Sequence, residues 1–152
     1  QGMRLTILRL FNTFGPFQLP YRPGSLVSNL IYNYLTGRST EIKDVDTQRD
    51  FMYSADISKF VEFVVQNTLV GTFDVGSGKL VSIRELISVL EHDVLRHVIP
   101  IINQNVPEHI ICPPAKIDVF DSITVTGLQE ALDKTVKFYK DNLHLIKKYV
   151  EQ

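Results

Sequence analysis

The spacing of apolar positions along the chain predicts strands and helices in alternation. Residues 4–10 (RLTILRL) are mostly apolar, the pattern of a strand covered on both faces. After a long loop over residues 11–24, apolar residues recur at helical spacing from Leu26 onward. Ser25 is placed to cap this helix and Gly37 to end it.

The middle of the chain repeats this alternation. Residues 41–43 and 49–53 indicate two short strands joined by a polar turn, and residues 72–75 indicate another strand. A helix opening at Ser54 has an apolar stripe at Ile57, Phe60, Val61, Val64 and Val65. Ser82 and Glu85 form a capping box before a second apolar face made by Ile83, Leu86, Ile87 and Leu90.

The last third of the chain gives a mixed signal. From about residue 93 to residue 121 four prolines interrupt the pattern, and residues 98–102 and 109–111 could form strands. Residues 128–148 predict one long helix. Its inward face would consist of Leu132, Val136, Tyr139, Leu143 and Ile146.

Composition narrows the class of protein. The 152 residues are 44% hydrophobic and 22% charged, as in one ordinary globular domain. A net charge of −1 gives no broad attraction to nucleic acid or to an anionic membrane. No apolar run approaches the length of about 18 residues that a membrane span requires, and the four histidines and single Cys112 have no metal-ligand spacing. We expect a soluble, cytoplasmic, metal-free α/β domain.

Several segments carry motifs that resemble one known family. Residues 9–16 read RLFNTFGP, residues 48–56 read QRDFMYSAD, residues 72–78 read TFDVGSG and residues 81–86 read VSIREL. These segments resemble motifs of the extended short-chain dehydrogenase/reductases, specifically of the nucleotide-sugar epimerase/dehydratase group. The family's motifs are R-x-F-N-x-[YF]-G-P, Q-x-R-D-[FW]-x-Y-V-x-D and [YF]-N-[VI]-G-S-G-x…[VS]-S-I-x-E-L. A weaker match, GLQEAL at residues 127–132, resembles the family's last helix. Within the group, the chain looks closest to UDP-glucuronate decarboxylases and dTDP-glucose 4,6-dehydratases.

The resemblance implies a fold and a division of the chain. The fold would be α/β, the C-terminal portion of an extended short-chain dehydrogenase. It would comprise the last strands of a Rossmann-like parallel sheet and the small α/β substrate-binding subdomain. We expect residues 1–2 to be a tag remnant and residues 3–152 to be this portion, without the dinucleotide-binding half.

Two parts of the family's machinery have no match in the sequence. No G-x-x-G-x-x-G is present, although such a turn holds the dinucleotide pyrophosphate at a helix N-terminus. No tyrosine has a lysine four residues further on, so the family's proton-transfer pair is missing as well. We therefore expect no catalytic residue in this chain and no turnover by it alone. NAD would belong to the parent enzyme, and this chain alone would not bind it.

The family's residue roles transfer to several positions. Asn12 would bind the substrate, and Leu10 and Phe11 would lie against the nicotinamide. Arg49 would bind the diphosphate of the sugar nucleotide, because its guanidinium donates two parallel hydrogen bonds to phosphate oxygens. The residues themselves leave alternatives open. Asn12 could instead cap a turn, and Arg49 could form a surface salt bridge to Asp46 or Asp50.

Further candidates lie at helix starts. The resemblance places Ser28 and Asn29 against the nucleotide and sugar. Arg84 falls in the first turn after the capping box, which gives a weaker case for a contact with a phosphate or ribose. Arg22 could add a second cation from the preceding loop. Asp56 is better interpreted as a charge opposing the helix dipole than as a catalytic acid.

We therefore expect the substrate-side half of an NAD-dependent nucleotide-sugar epimerase, dehydratase or decarboxylase. Its partner would be a nucleotide-diphosphate sugar. Two alternatives remain open: a non-catalytic nucleotide-sugar binding module, or an assembly domain from a split gene. Because strands 4–10 and 72–75 would lack their sheet neighbours, we also expect a homodimer, a strand-exchanged assembly, or pairing with the missing N-terminal half.

Overall fold

The computed structural model describes residues 2–91 and 118–150, which form two small sheets with helices packed on them. In the first sheet, β1 (Thr6–Leu10) pairs in parallel with β4 (Gly71–Val75). In the second, β3 (Gln48–Tyr53) lies between β2 (Asn12–Phe14), which runs parallel to it, and β5 (Leu80–Ser82), which runs antiparallel. The predicted α/β class is therefore confirmed.

Five α-helices lie in the described ranges. They are α1 (Leu26–Leu35), α2 (Ile57–Gln66), α3 (Ile83–Glu91), α4 (Leu128–Asp141) and α5 (Leu143–Val150). Short 3₁₀ turns occupy Ser54–Asp56 and Asp118–Phe120. None of these helices has the length and apolar character that a membrane crossing requires.

The core has two parts, one on each sheet. The larger part joins β3 to α1, α3 and α4, and its fully buried members include Leu30, Leu86 and Leu132. The smaller part lies between α2 and the β1–β4 pair. At its centre the Phe120 ring makes edge contacts with Phe60, at a centroid distance of 5.1 Å, and with two further phenylalanines.

Several predicted elements are confirmed. Leu35 ends α1, and Gly37 follows with a φ of +67°, as a C-terminal glycine should. Ser82 accepts a hydrogen bond from the Glu85 amide at 3.0 Å, one half of the predicted capping box. The four apolar residues predicted for α3 are all buried.

Other boundaries differ from the prediction. Residues 41–43, predicted as a strand joined by a turn to residues 49–53, form no strand. Both edges of β3 are occupied by β2 and β5 instead. The predicted loop after β1 contains β2, and β5 was not predicted at all. The predicted helix over residues 128–148 is two helices, because Asn142 leaves helical geometry at φ −115° and its side chain donates to the Phe138 carbonyl.

Two predicted faces are less buried than expected. Ile7 and Leu10 of β1 are 47% and 44% exposed, so the prediction of a strand covered on both faces is wrong for this chain. Val61 and Val65 of α2 are exposed, whereas Phe60 and Val64 are buried. The possible strands at residues 98–102 and 109–111, and Cys112, lie outside the described residues.

Candidate functional site

A cleft opens where β2 and β3 meet the first turn of α1. It has a volume of about 290 Å³ and brings together three of the predicted site residues, Asn12, Asn29 and Arg49. Arg22, from the loop before α1, lines the same cleft. The remaining lining residues are Thr13, Gly24, Ser25, Leu26, Val27 and Phe51.

Arg49 reaches this cleft from β3, with Val81 of β5 opposite it in the sheet. Its Nε atom is buried and has no hydrogen-bond partner in the described structure. The two carboxylates that could have paired with it bond elsewhere, Asp46 with Arg84 and Asp50 with Ser77. A buried donor without an acceptor is costly, so Arg49 is suited to an anion entering the cleft.

The start of α1 adds a second electropositive feature. Ser25 occupies the capping position, but its side chain does not cap the helix, contrary to the prediction. Its Oγ instead accepts from the Arg22 amide at 3.0 Å and donates to the Arg22 carbonyl at 2.6 Å. The first-turn N–H groups of α1 thus have no side-chain cap, and they carry the positive end of the helix dipole.

Asn12 begins β2, whereas the sequence placed it between a strand and a loop. Its Nδ2 donates to the Asp50 carbonyl at 3.1 Å, a contact that ties β2 to β3 beside the cleft. This bond fixes the orientation of the Asn12 amide. The alternative in which Asn12 caps a turn does not apply, because Asn12 lies within a strand.

Asn29 and Ser28 are adjacent in α1, but only Asn29 lines the cleft. The Asn29 Oδ1 accepts from the Tyr21 amide at 2.6 Å and lies 3.0 Å from Ser25 Oγ, so Asn29 holds the Arg22 loop against the helix. Ser28 is fully buried and donates to Gln18 Oε1 at 2.6 Å. Ser28 is not among the residues that line the cleft.

The other predicted site residues lie away from the cleft. Arg84, at the start of α3, is exposed and makes a two-pronged ion pair with Asp46 at 2.9 and 3.1 Å. The hydrogen bond to Asp46 raises the pKa of Arg84, and the charge of Asp46 adds to this effect. Leu10 ends β1 half-exposed, and the Phe11 amide donates to the Val75 carbonyl at 3.0 Å.

Two buried aspartates have roles that the sequence did not reveal. Asp50 accepts from the amides of Ser77 and Gly78 at 2.7 and 2.9 Å, so the amides of this Gly-Ser-Gly turn serve an internal carboxylate. Asp56 is also buried and accepts from the Thr126 amide at 2.8 Å. Burial alone would raise its pKa, but hydrogen bonds from Lys59 and Thr126 outweigh that effect and hold the pKa below its usual value.

The comparisons with known proteins agree on one family. The sequence pattern of the NAD-dependent epimerase/dehydratase family matches residues 1–76, half of the chain. The chain is 30% identical over 94 residues to a putative UDP-glucose 4-epimerase of Methanocaldococcus jannaschii. That match covers 61% of this chain and 30% of the relative.

Solved structures give the same result for the fold. UDP-N-acetylglucosamine 4-epimerase of Methanobrevibacter ruminantium, in complex with UDP-N-acetylmuramic acid, is 25% identical with a TM-score of 0.75, over 92% of this chain and 47% of that one. An epimerase of Methanothermobacter thermautotrophicus is 21% identical with a TM-score of 0.79, and the match covers 96% of this chain and 46% of that one. UDP-glucose 4-epimerase of Thermus thermophilus, in complex with NAD, is 20% identical with a TM-score of 0.71, and the match covers 91% of this chain and 47% of that one.

The chain therefore spans less than half the length of the proteins it matches. The predicted fold, part of an extended short-chain dehydrogenase, is confirmed by these neighbours. The resemblance to decarboxylases and 4,6-dehydratases within the group stays a prediction, and so does the cytoplasmic location.

Proposed function

Because the chain belongs to the NAD-dependent epimerase/dehydratase family, we propose that it forms the substrate-binding side of a nucleotide-sugar enzyme. Its ligand is a nucleotide-diphosphate sugar, whose diphosphate lies in the cleft between β2, β3 and α1. The observation that carries this proposal is the buried, unpartnered Nε of Arg49 in that cleft. A phosphate oxygen supplies the acceptor that this donor lacks.

Three positive groups converge on the cleft. Arg49 enters from the strand side, Arg22 enters from the loop, and the uncapped start of α1 provides free N–H groups. A guanidinium binds phosphate in two-pronged geometry and keeps its charge at all ordinary pH values. The helix start favours the same anion, because its N–H groups and dipole act together. Asn12 and Asn29 lie beside the anion, where they would contact the sugar.

We propose that the pyrophosphate of NAD is not held by the Gly-Ser-Gly turn after β4. Gly76 to Gly78 is the turn most similar to a phosphate-binding loop, but its amides of Ser77 and Gly78 bond to Asp50. We propose that Leu10 and Phe11 contribute only an apolar contact toward the nicotinamide. The pyrophosphate would be held by another part of the enzyme.

Replacing Arg49 tests the proposal. In isothermal titration of the chain with UDP, we expect Arg49→Ala to weaken binding about tenfold or more, because a charge-assisted hydrogen-bonding group is lost. Arg49→Lys should recover part of the affinity, since a lysine keeps the charge but not the planar fork. Arg9→Ala is the matched control, because it removes an exposed arginine of β1 whose ion pair is with Asp74 of the neighbouring strand β4 and which does not line the cleft. Equal affinities for Arg49→Ala and the wild type would rule out this role.

The exposed side of β1 gives a prediction about assembly. In the described residues β1 pairs with β4 alone, and Leu5, Ile7 and Leu10 are exposed. An uncovered apolar strand tends to pair with another chain. We expect light scattering at micromolar concentration to give twice the 17.4 kDa of one chain. Ile7→Lys should shift the mass to one chain, whereas a monomeric wild type would contradict the prediction.

A further inference from the structure

A partly buried polar network connects the cleft to α4. At its centre is Gln18, which lies in the loop after β2. Its side chain donates to the Thr13 carbonyl at 3.2 Å and accepts from Ser28 Oγ at 2.6 Å. Its main-chain carbonyl accepts a hydrogen bond from the Tyr139 hydroxyl. Gln18 thus joins β2, α1 and α4 at one point.

The two hydroxyl-bearing side chains of this network have no contact with bulk water, whereas Gln18 and Thr13 are partly exposed. Ser28 and Tyr139 are both fully buried. Burial raises the pKa of the Tyr139 phenol, and the nearby Ser28 hydroxyl acts in the opposite direction. The Tyr139 hydroxyl therefore keeps its proton at neutral pH and can donate it to Gln18. If either of these buried hydroxyls loses its hydrogen bond, it is left unsatisfied, which costs more than the bond itself contributes.

The network meets the cleft on two of its sides. Thr13 lines the cleft from β2, and Ser28 directly follows Val27, which lines it from the first turn of α1. Because β2 pairs with β3, which carries Arg49, the position of α1 relative to β2 also sets the position of the helix start relative to Arg49. Tyr139 is more than a hundred positions further along the chain, and it holds Gln18 in place without lining the cleft itself.

We propose that Tyr139 is a positioning residue for the anion cleft, acting through Gln18 and Ser28. The proposal rests on the proposed function, because the ligand it concerns is the diphosphate of a nucleotide. Through this contact α4 sets the distance between β2 and α1, and the cleft is preformed when the ligand arrives. A preformed cleft binds more tightly, because less ordering remains to be done on binding.

The test compares Tyr139→Phe, Ser28→Ala and the double variant in UDP titrations, under conditions where each is fully folded. Tyr149→Phe is the matched control, because Tyr149 is an exposed tyrosine on α5. We expect Tyr139→Phe to weaken UDP binding by roughly three- to tenfold, the usual effect of one buried hydrogen bond. The double variant should lose little more than the weaker-binding single variant, because both act through Gln18.

A second measurement needs no ligand. The Asn29 amide donates to the Ser25 carbonyl at 2.8 Å in the first turn of α1, and its hydrogen exchange reports how firmly that turn is held. We expect faster exchange at Asn29 in Tyr139→Phe and an unchanged rate in Tyr149→Phe.

The outcomes separate this inference from the proposed function. If the wild type does not bind UDP, the proposed function fails, and the exchange rate at Asn29 alone decides whether the network positions α1. If the wild type binds UDP, the inference is overturned by an unchanged affinity in Tyr139→Phe, by an equal loss in Tyr149→Phe, or by losses that add fully in the double variant. A mere loss of stability would change neither the affinity of the folded protein nor this pattern of coupling.

Discussion

Asp50→Ala is expected to lower the free energy of unfolding by about 3 kcal/mol, because it removes a buried charged acceptor that three donors of the turn after β4 share. The Asp50 carboxylate is fully buried and accepts from the Ser77 amide, the Ser77 hydroxyl and the Gly78 amide, at 2.7, 2.6 and 2.9 Å. These bonds fasten the turn after β4 to β3, beside Arg49. Without Asp50 the donors lose their acceptor, and a lost buried partner is among the most costly changes in a protein.

Urea denaturation followed by circular dichroism measures this effect. A loss of that size should also lower the melting temperature by about 6–12 °C in a chain of this length. Asp50→Asn keeps the shape and one acceptor oxygen and should cost less. Asp133→Ala, an exposed aspartate on α4, is the control. If Asp50→Ala were as stable as that control, the turn would not depend on Asp50.

Gly15→Ala is expected to cost about 3 kcal/mol or more, because it combines backbone strain with a collision. Gly15 directly follows β2 and has a φ of +156°, a conformation that residues with a side chain rarely adopt. A methyl group there would lie 2.1 Å from Ser54 Oγ and 3.1 Å from Ser54 Cβ. The Ser54 hydroxyl would have to rotate away, and the Ser54 Cβ and the Tyr53 ring would have to give way by a few tenths of an ångström.

Alanine substitutions at two other glycines distinguish the cost of the collision with Ser54 from the cost of the backbone strain. Gly24 has a φ of +76° and open space around its Cβ position, so Gly24→Ala should cost only about 1 kcal/mol. Gly127 has an ordinary φ of −62° and open space, so Gly127→Ala should change stability little. Combining Gly15→Ala with Ser54→Ala should recover part of the loss. If urea denaturation gave equal losses of unfolding free energy for Gly15→Ala and Gly24→Ala, the predicted cost of the collision would be contradicted.

Elements with a local signal could be predicted from the sequence. The α3 helix begins where Ser82 accepts from the Glu85 amide, and α1 is followed by Gly37 in the left-handed region. Both signals involve residues within a few positions of the helix end. The apolar spacing of α3 also predicted its buried face correctly, because that face follows one period over the whole helix.

Elements whose partners are distant could not be predicted in the same way. The short strand β2 exists because it pairs with β3, which begins at Gln48, and β5 exists because it pairs with the other edge of β3. Such strands have three residues each and too little pattern of their own. The break at Asn142 depends on a side chain competing for the Phe138 carbonyl, which apolar spacing does not show.

The candidate site was predicted in part. The structure brings Asn12, Asn29 and Arg49 to one cleft, as the resemblance implied, while Ser28 bonds to Gln18 and Arg84 pairs with Asp46 outside it. The sequence also offered Arg22 as a second cation, and Arg22 does line the cleft. Two features had no signal at a single position: the missing side-chain cap at α1, and the network around Gln18. Each depends on which of several possible polar partners a side chain takes in the folded chain.

The central claim is that this cleft binds the diphosphate of a nucleotide. Titrating the ¹⁵N-labelled chain with UDP and following its amide resonances tests the claim most directly. We predict saturable shifts concentrated at β2, at residues 22–29 and at Arg49, with α5 unaffected. Resonances that do not move at millimolar UDP, or shifts concentrated away from this cleft, would contradict the account.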